Sequence, residues 1–324
     1  MKIAKILIAL LILCQSLHAE KLITVFGMNP QITVLLEILY PQGMIGLNYT
    51  PYQEDLLYMP ENVKNLPILG GMMTGGNEVS FEKIIALKPD LIVFPHNTPH
   101  EAIQKYRKFN IRTITVNVSE LENIQESISV LGKELNIQNR ANKLQQFIEK
   151  SQEKLKHLTQ KVTNRPKVYF ALGFNGLQTQ CQKKDAKNDL AFKIGGENII
   201  KCDEFSNPNQ RLQTNFENLL LKDPDIIFVR EIALYNEIMN NPKYTWQKLQ
   251  AIKNKKVYYA PSSPSNWLTR PVSIMQSIGL LWAFSKTQPH ILEASEVKHI
   301  AQEFYENFLR KLNDDDYNKL LQEE

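Results

Sequence analysis

The sequence predicts an α/β fold of two Rossmann-like lobes, each a parallel sheet covered by helices, joined by one long rigid helix. Three observations carry this. β-rich runs and helical patterns alternate in both halves of the chain, which implies parallel strands with helical crossovers. The stretch SFEKIIALKPDLIVF from Ser80 recurs as NFENLLLKDPDIIFV from Asn215, with Phe81/Phe216, Glu82/Glu217, Pro89/Pro224, Asp90/Asp225 and Ile92/Ile227 retained. Between the copies, the segment from Asn139 to Val162 is highly charged and contains neither glycine nor proline. A length of 324 residues also exceeds what one small core organises.

MKIAKILIALLILCQSLHAEK has the parts of a secretory signal: Lys2 and Lys5, an apolar run from Ile6 to Leu13, and a cleavage site after Ala19. The run is too short to span a bilayer, which takes about 20 residues. Leu13 is a poor residue to precede a lipidated cysteine, so cleavage after Ala19 is expected over an anchor at Cys14. The mature chain then opens with LITVFG, a strand, and MNPQITVLLEILYP, a helix stopped by Pro41. MIGL reads as the next strand. An aromatic and polar loop, a Gly-rich turn, the first repeat copy and KYRKFNIRTITVN complete the first lobe.

ELENIQESISVLGKELN and the segment after it read as two helices. In the second, Ala141, Leu144, Phe147, Ile148, Ser151, Leu155 and Leu158 recur at 3/4 spacing, so one stripe is buried and the rest is wet. In the second lobe KVYFALGF is a strand, NDLAFKIGGENII a helix with a Gly-rich stop, and KVYYAP a later strand. RPVSIMQSIGLLWAFSK reads as a helix begun by Pro271, and the tail as one or two amphipathic helices. The expected division is a signal peptide at 1–19, a first lobe at 20–138, a linker helix at 139–163 and a second lobe with a helical tail at 164–324. A continuous helical linker resists bending, so the cleft should change little when filled.

Lys+Arg 38 against Asp+Glu 34 gives +4, and loss of Lys2 and Lys5 leaves +2. That balance argues against a nucleic-acid partner, which needs clustered cations. Cys181 and Cys202 remain after export, where a disulfide is possible; neither lies in a CxxC pair of the kind that binds metal. The chain has no G-x-S-x-G, H-E-x-x-H, P-loop or dinucleotide fingerprint, so no enzyme signature is present. No cofactor is expected. The mature chain's five scattered histidines are few for a bare Zn or Mn site.

The repeat with its PD-strands, the Asn139–Val162 helix, FKIGGENII and KVYYAPSS…NWLTRP together resemble the periplasmic substrate-binding proteins of ABC importers for iron-siderophores, haem and cobalamin. The resemblance covers nearly the whole mature chain. It implies a monomeric protein that captures a metal chelate between its lobes and delivers it to a membrane permease and its ATPase. An iron-siderophore is the first expectation for the cargo; haem, cobalamin, a nickel or cobalt chelate and a molybdate-type oxyanion are the alternatives. It also implies that Glu82 and Glu217 dock to the permease. The same carboxylates follow Ser80 and Asn215 by two positions, where they favour a helix N-terminus.

Ligands of such lobes sit beyond the carboxyl ends of the strands. The candidate loops contain Met28, Asn48, Tyr49, Met72, Met73 and His96 in the first lobe. In the second they contain Phe174, Asn175, Arg211, Arg230, Trp267 and Arg270. Trp267 could stack on a flat chelate, and Arg270, Arg230 or Arg211 could pair with an anionic one. The alternative for Trp267 is an anchor between loop and core, and for Arg230 a pairing beside Glu231. His96 is a possible chelate ligand; Met28, Met72 and Met73 could form a soft apolar patch.

Overall fold

The computed structural model describes residues 21–53, 55–72, 79–182, 189–205, 212–269 and 272–322. The expected signal peptide at 1–19, with Cys14, lies outside these. In the first lobe β1 (Val25–Gly27), α1 (Pro30–Leu39), α2 (Glu61–Lys64), α3 (Phe81–Leu87), β2 (Leu91–Pro95), α4 (His100–Arg107), β3 (Arg112–Val116) and α5 (Leu121–Glu134) follow one another. The bridging helix α6 runs over Gln138–Gln160. The second lobe has β4 (Lys167–Ala171), β5 (Gln178–Thr179), α7 (Leu190–Lys193), β6 (Glu197–Asn198), β7 (Leu212–Gln213), α8 (Phe216–Lys222) and β8 (Ile226–Val229). It continues through α9 (Ile232–Asn240), α10 (Gln250–Lys253), β9 (Val257–Tyr259) and α11 (Gln276–Thr287), and ends in tail helices α12 (Ala294–Phe308) and α13 (Asp314–Leu321).

The first sheet has the order β1-β2-β3 and the second β6-β4-β8-β9, with parallel pairing throughout. A small antiparallel ribbon joins β5 to β7. Each central strand, LIVFP and IIFV, is buried along its whole length, as expected of sheets covered on both faces.

The repeat is used identically in the two lobes. Its helices end at Lys88 and Asp223, both left-handed, with φ of 47° and 42°. Its aspartates then each tie the start of the neighbouring strand. Asp90 Oδ2 accepts from the Thr24 backbone N–H at 2.9 Å, and Asp225 Oδ2 from the Lys167 N–H at 2.7 Å. A carboxylate held by backbone N–H groups is stabilised in its charged form. The duplicated P-D pair is therefore a strand-start clamp.

Helix α6 spans 23 residues, about 35 Å at 1.5 Å per residue. Its buried positions are the predicted stripe of Ala141, Leu144, Phe147, Ile148, Ser151, Leu155 and Leu158. Arg140 near its start donates to the carbonyls of Ile38 and Phe308, each at 2.8 Å, which joins the linker to α1 and to the tail. One continuous core contains Val25 and Leu39 of the first lobe, Leu144 and Phe147 of the linker, and Phe170, Trp282 and Phe304 of the second lobe and tail. Lobes that share a core cannot swing apart without exposing apolar surface.

Three expectations change. MIGL forms no strand, only single bridges from Met44 to Val25 and from Leu47 to Ile68, because the chain crosses from one partner to another within four residues. The NDLAFKIGG helix shrinks to α7; Gly195 turns at φ +79°, and a Cβ on Gly196 would lie 2.5 Å from Val168 Cγ2. Helix α11 begins at Gln276, later than a start at Pro271, which lies outside the described residues. The preceding segment folds back instead, with Gln276 Nε2 donating to the Leu268 carbonyl at 2.6 Å.

Candidate functional site

Because every strand of each main sheet is parallel, their carboxyl ends gather on one side of each lobe. In the first lobe the loops there are braced to one another. Asn48 Nδ2 donates to the carbonyls of Gly27 and Gly70, at 2.9 and 3.0 Å, and Thr33 Oγ1 donates to Asn48 Oδ1. The Met72 N–H donates to the Met28 carbonyl at 2.6 Å, and Asn29 Oδ1 caps α1 through the Ile32 N–H at 2.9 Å. Such bracing orders these strand-end loops against one another.

The methionine patch is not an open surface. Met28 is 2% exposed and belongs to the core beneath β1, where the half-buried Met72 also packs. Met73 lies outside the described residues. His96 follows β2 with its side chain exposed, and among the described residues no group of three or more His, Cys, Asp or Glu side chains is arranged to hold a metal.

In the second lobe Arg230 follows β8. Its guanidinium pairs with its neighbour Glu231 at 2.9 Å, so this cation is already engaged. Tyr235 and Tyr259 pack with ring centroids 6.1 Å apart. Phe174, in the turn after β4 between Gly173 and Gly176, is 94% exposed; both glycines have positive φ, +75° and +72°. Phe174 thus presents an open aromatic face beyond the carboxyl end of β4.

Trp267 itself is a correction. It is 0% exposed, with ring centroids 6.4 Å from Trp282 and 6.3 Å from Tyr305. Helix α11 approaches it so closely that a Cβ on Gly279 would lie 1.9 Å from the Trp267 carbonyl oxygen. The indole anchors the loop to the core and leaves no face for a ligand. The cause is the tail, whose Tyr305 closes over the ring; nothing local to NWLTRP signals that packing. Arg270 and Arg211 lie outside the described residues.

Tyr49 is half-buried, and its hydroxyl is pushed well above the usual range by burial first, then by the charges of Glu37 and Asp55. It is therefore a neutral donor at physiological pH. Glu37 and Asp55 escaped the sequence reading. Glu37 sits in an otherwise apolar helix, QITVLLEIL, and that lone charge on a buried face was the available signal.

Glu82 and Glu217 occupy the second position of α3 and α8, and both are exposed. Asn215 caps its helix, accepting from the Asn218 N–H at 2.8 Å. Ser80 makes no side-chain capping bond, so capping differs between the copies while the glutamates do not. Cys181 and Cys202 form a disulfide, with Cα atoms 4.9 Å apart. Among the described residues, a surface hollow of about 530 Å³ is lined by Lys21, Lys88, Asp90 and Arg112. It lies at the opposite pole of the first sheet from the cleft.

Two parallel sheets packed on a core shared with the linker helix define a two-lobe α/β architecture. Residues 71–264 match the periplasmic binding protein family, and the chain belongs to that family. It is 27% identical over 206 residues to the high-affinity heme uptake system protein IsdE of Staphylococcus aureus, covering 62% of this chain and 68% of that protein. A solved ABC transporter solute binding protein from Sulfurospirillum deleyianum superposes with a TM-score of 0.79 at 29% identity, covering 94% of this chain and 95% of that one. A periplasmic solute binding protein from Veillonella parvula shares the fold, with a TM-score of 0.79 at 20% identity over 94% and 92% of the two chains.

Proposed function

We propose that this protein is the solute-binding component of an ABC importer, capturing a metal chelate between its lobes and delivering it to a membrane permease and its ATPase. The observation that carries the reading is a pair of parallel-sheet lobes whose linker is buried in a common core, with the strand-end loops of the first lobe braced to one another. The nearly full-length likeness to an ABC transporter solute binding protein supports the importer context. Nothing in this arrangement calls for chemistry on the cargo, so binding and release are the whole cycle, carried out by a monomer. A cleaved leader at 1–19 would place the protein in the periplasm.

The cargo is a metal chelate. A ferric siderophore is the first reading; haem is the second, favoured by the likeness to a protein described as serving heme uptake. Phe174, open beyond β4, would stack on a flat or aromatic chelate. Glu82 and Glu217, exposed at matching places on the two lobes, would seat in cationic pockets of the permease. A thermal-shift screen of the mature protein against ferric catecholate and hydroxamate siderophores, hemin, cyanocobalamin, nickel–histidine and molybdate tests the reading. A cognate ligand at 100 times its Kd adds about 2.7 kcal/mol. A flat response to every chelate would overturn it, and a response to molybdate alone would move the cargo to oxyanions.

A further inference from the structure

The outward faces of the two repeat helices differ. In α8, Phe216 packs on Trp246 with ring centroids 6.2 Å apart and Leu219 is fully buried, which turns Glu217, Leu220 and Leu221 away from the core. Leu220 is 40% exposed and Leu221 85%. They follow Glu217 by three and four residues, so the carboxylate and the leucines share one face of the helix. In α3, Phe81 and Ile84 take the inward places. Here, however, Ile85 is half-buried against the same core, and Ala86 stands where Leu221 does. Leu87 is exposed too, yet it comes five residues after Glu82 and so turns away from it.

The charge beside the two carboxylates differs as well. Lys83 adjoins Glu82, whereas Asn218 stands at the matching place in α8 and is held by Asn215 and Thr214. The cation that α8 does carry, Lys222, is drawn aside by Glu204 at 2.7 Å and the Ile199 carbonyl at 2.9 Å. The second-lobe face is thus an acid next to a bare apolar patch. An anionic lipid surface would meet Glu217 with like charge, and a second copy seated across a two-fold axis would bring two such carboxylates together. A protein surface that is both cationic and apolar complements it.

We propose that Leu221, with Leu220, is an apolar anchor by which the second lobe docks to the membrane permease, seated beside the cationic pocket that receives Glu217. The inference rests on the importer reading and on docking through Glu217, and it adds that the two lobes are gripped unequally. A buried leucine supplies affinity that salt does not screen, whereas the carboxylate supplies attraction that salt does screen. With Ala86 at the equivalent place, the first lobe is held chiefly through Glu82. One contact that is apolar and ionic, and one that is ionic, make the lobes non-interchangeable on the permease.

The test uses the mature, unliganded protein and its cognate permease–ATPase complex in lipid nanodiscs, with binding read by biolayer interferometry at low and high salt. Leu221→Ser should keep the wild-type melting temperature and weaken binding by about tenfold or more, and the loss should persist at high salt. Ala86→Ser should bind as the wild type does. The loss in Glu82→Ala with Glu217→Ala should instead shrink as salt rises. Undiminished binding by Leu221→Ser, or an equal loss in Ala86→Ser, would overturn the anchor alone, provided the glutamate variant is weakened. Undiminished binding by the glutamate variant, or no binding by the wild type, would overturn the docking reading and the anchor with it. Sedimentation of the wild type checks the other occupant: a dimer that Leu221→Ser dissolves would give the patch to a second copy and overturn the proposal.

Discussion

Asp90 and Asp225 show what single residues do in this protein. Their duplication first reads as part of a helix-strand repeat, yet each is the clamp that starts a strand. Asp90 is held at about 2 by the Lys21 ammonium first and the Thr24 N–H second. Its folded value is depressed, so the stability it contributes is present above its ordinary value of 3.8 and is lost as pH falls toward 2. Asp90→Asn should accordingly weaken the protein at neutral pH and flatten the acid limb of its melting-temperature profile between pH 4 and about 2. An acid limb unchanged in the variant would contradict the clamp. At Trp267, truncation to Ala should cost about 3–5 kcal/mol in a denaturant titration, as for other fully enclosed aromatics. A near-neutral outcome would return the indole to the cleft.

Among elements, α6 carries the most argument. The 3/4 stripe made its buried face readable in advance, because a helix alone repeats at that period. Its neighbours were not readable, because ring contacts such as Phe147 with Phe304 at 5.1 Å join segments far apart in the chain. Since that contact belongs to the shared core, Phe147→Ala should cost about 3 kcal/mol or more and should lower a single melting transition. Two separated transitions by calorimetry would show that the lobes do not share a core. The disulfide between Cys181 and Cys202 closes a separation of 21 residues, for which chain entropy suggests about 3 kcal/mol. Cys202→Ser should lose roughly that amount in urea unfolding; an unchanged midpoint would make the bond dispensable.

For the molecule as a whole, rigidity and delivery are the quantities to measure. With the linker buried and the core continuous, the radius of gyration in small-angle scattering should be the same before and after a cognate chelate is added. A measurable contraction would mean hinge closure and would contradict the shared core. Glu82→Ala combined with Glu217→Ala should leave chelate affinity and melting temperature intact while abolishing uptake through the cognate permease. Normal uptake by the double variant would remove the docking role from both carboxylates.

The two-lobe α/β plan, the repeat, the linker helix and its buried stripe were all legible in the chain, because each is a periodic or local property that neighbouring residues fully express. The strand-end loops were legible as a set, since the carboxyl ends of parallel strands must face the same way. Which side chains in those loops stay open was settled by packing between distant segments. The tail covers Trp267, Glu231 engages Arg230, and the first-lobe core takes Met28, while Phe174 is left in water. Burial depends on what arrives from elsewhere in the fold, and no window of sequence contains that information. The bond from Ser263 to Asp55 is the extreme case, for it joins side chains 208 residues apart.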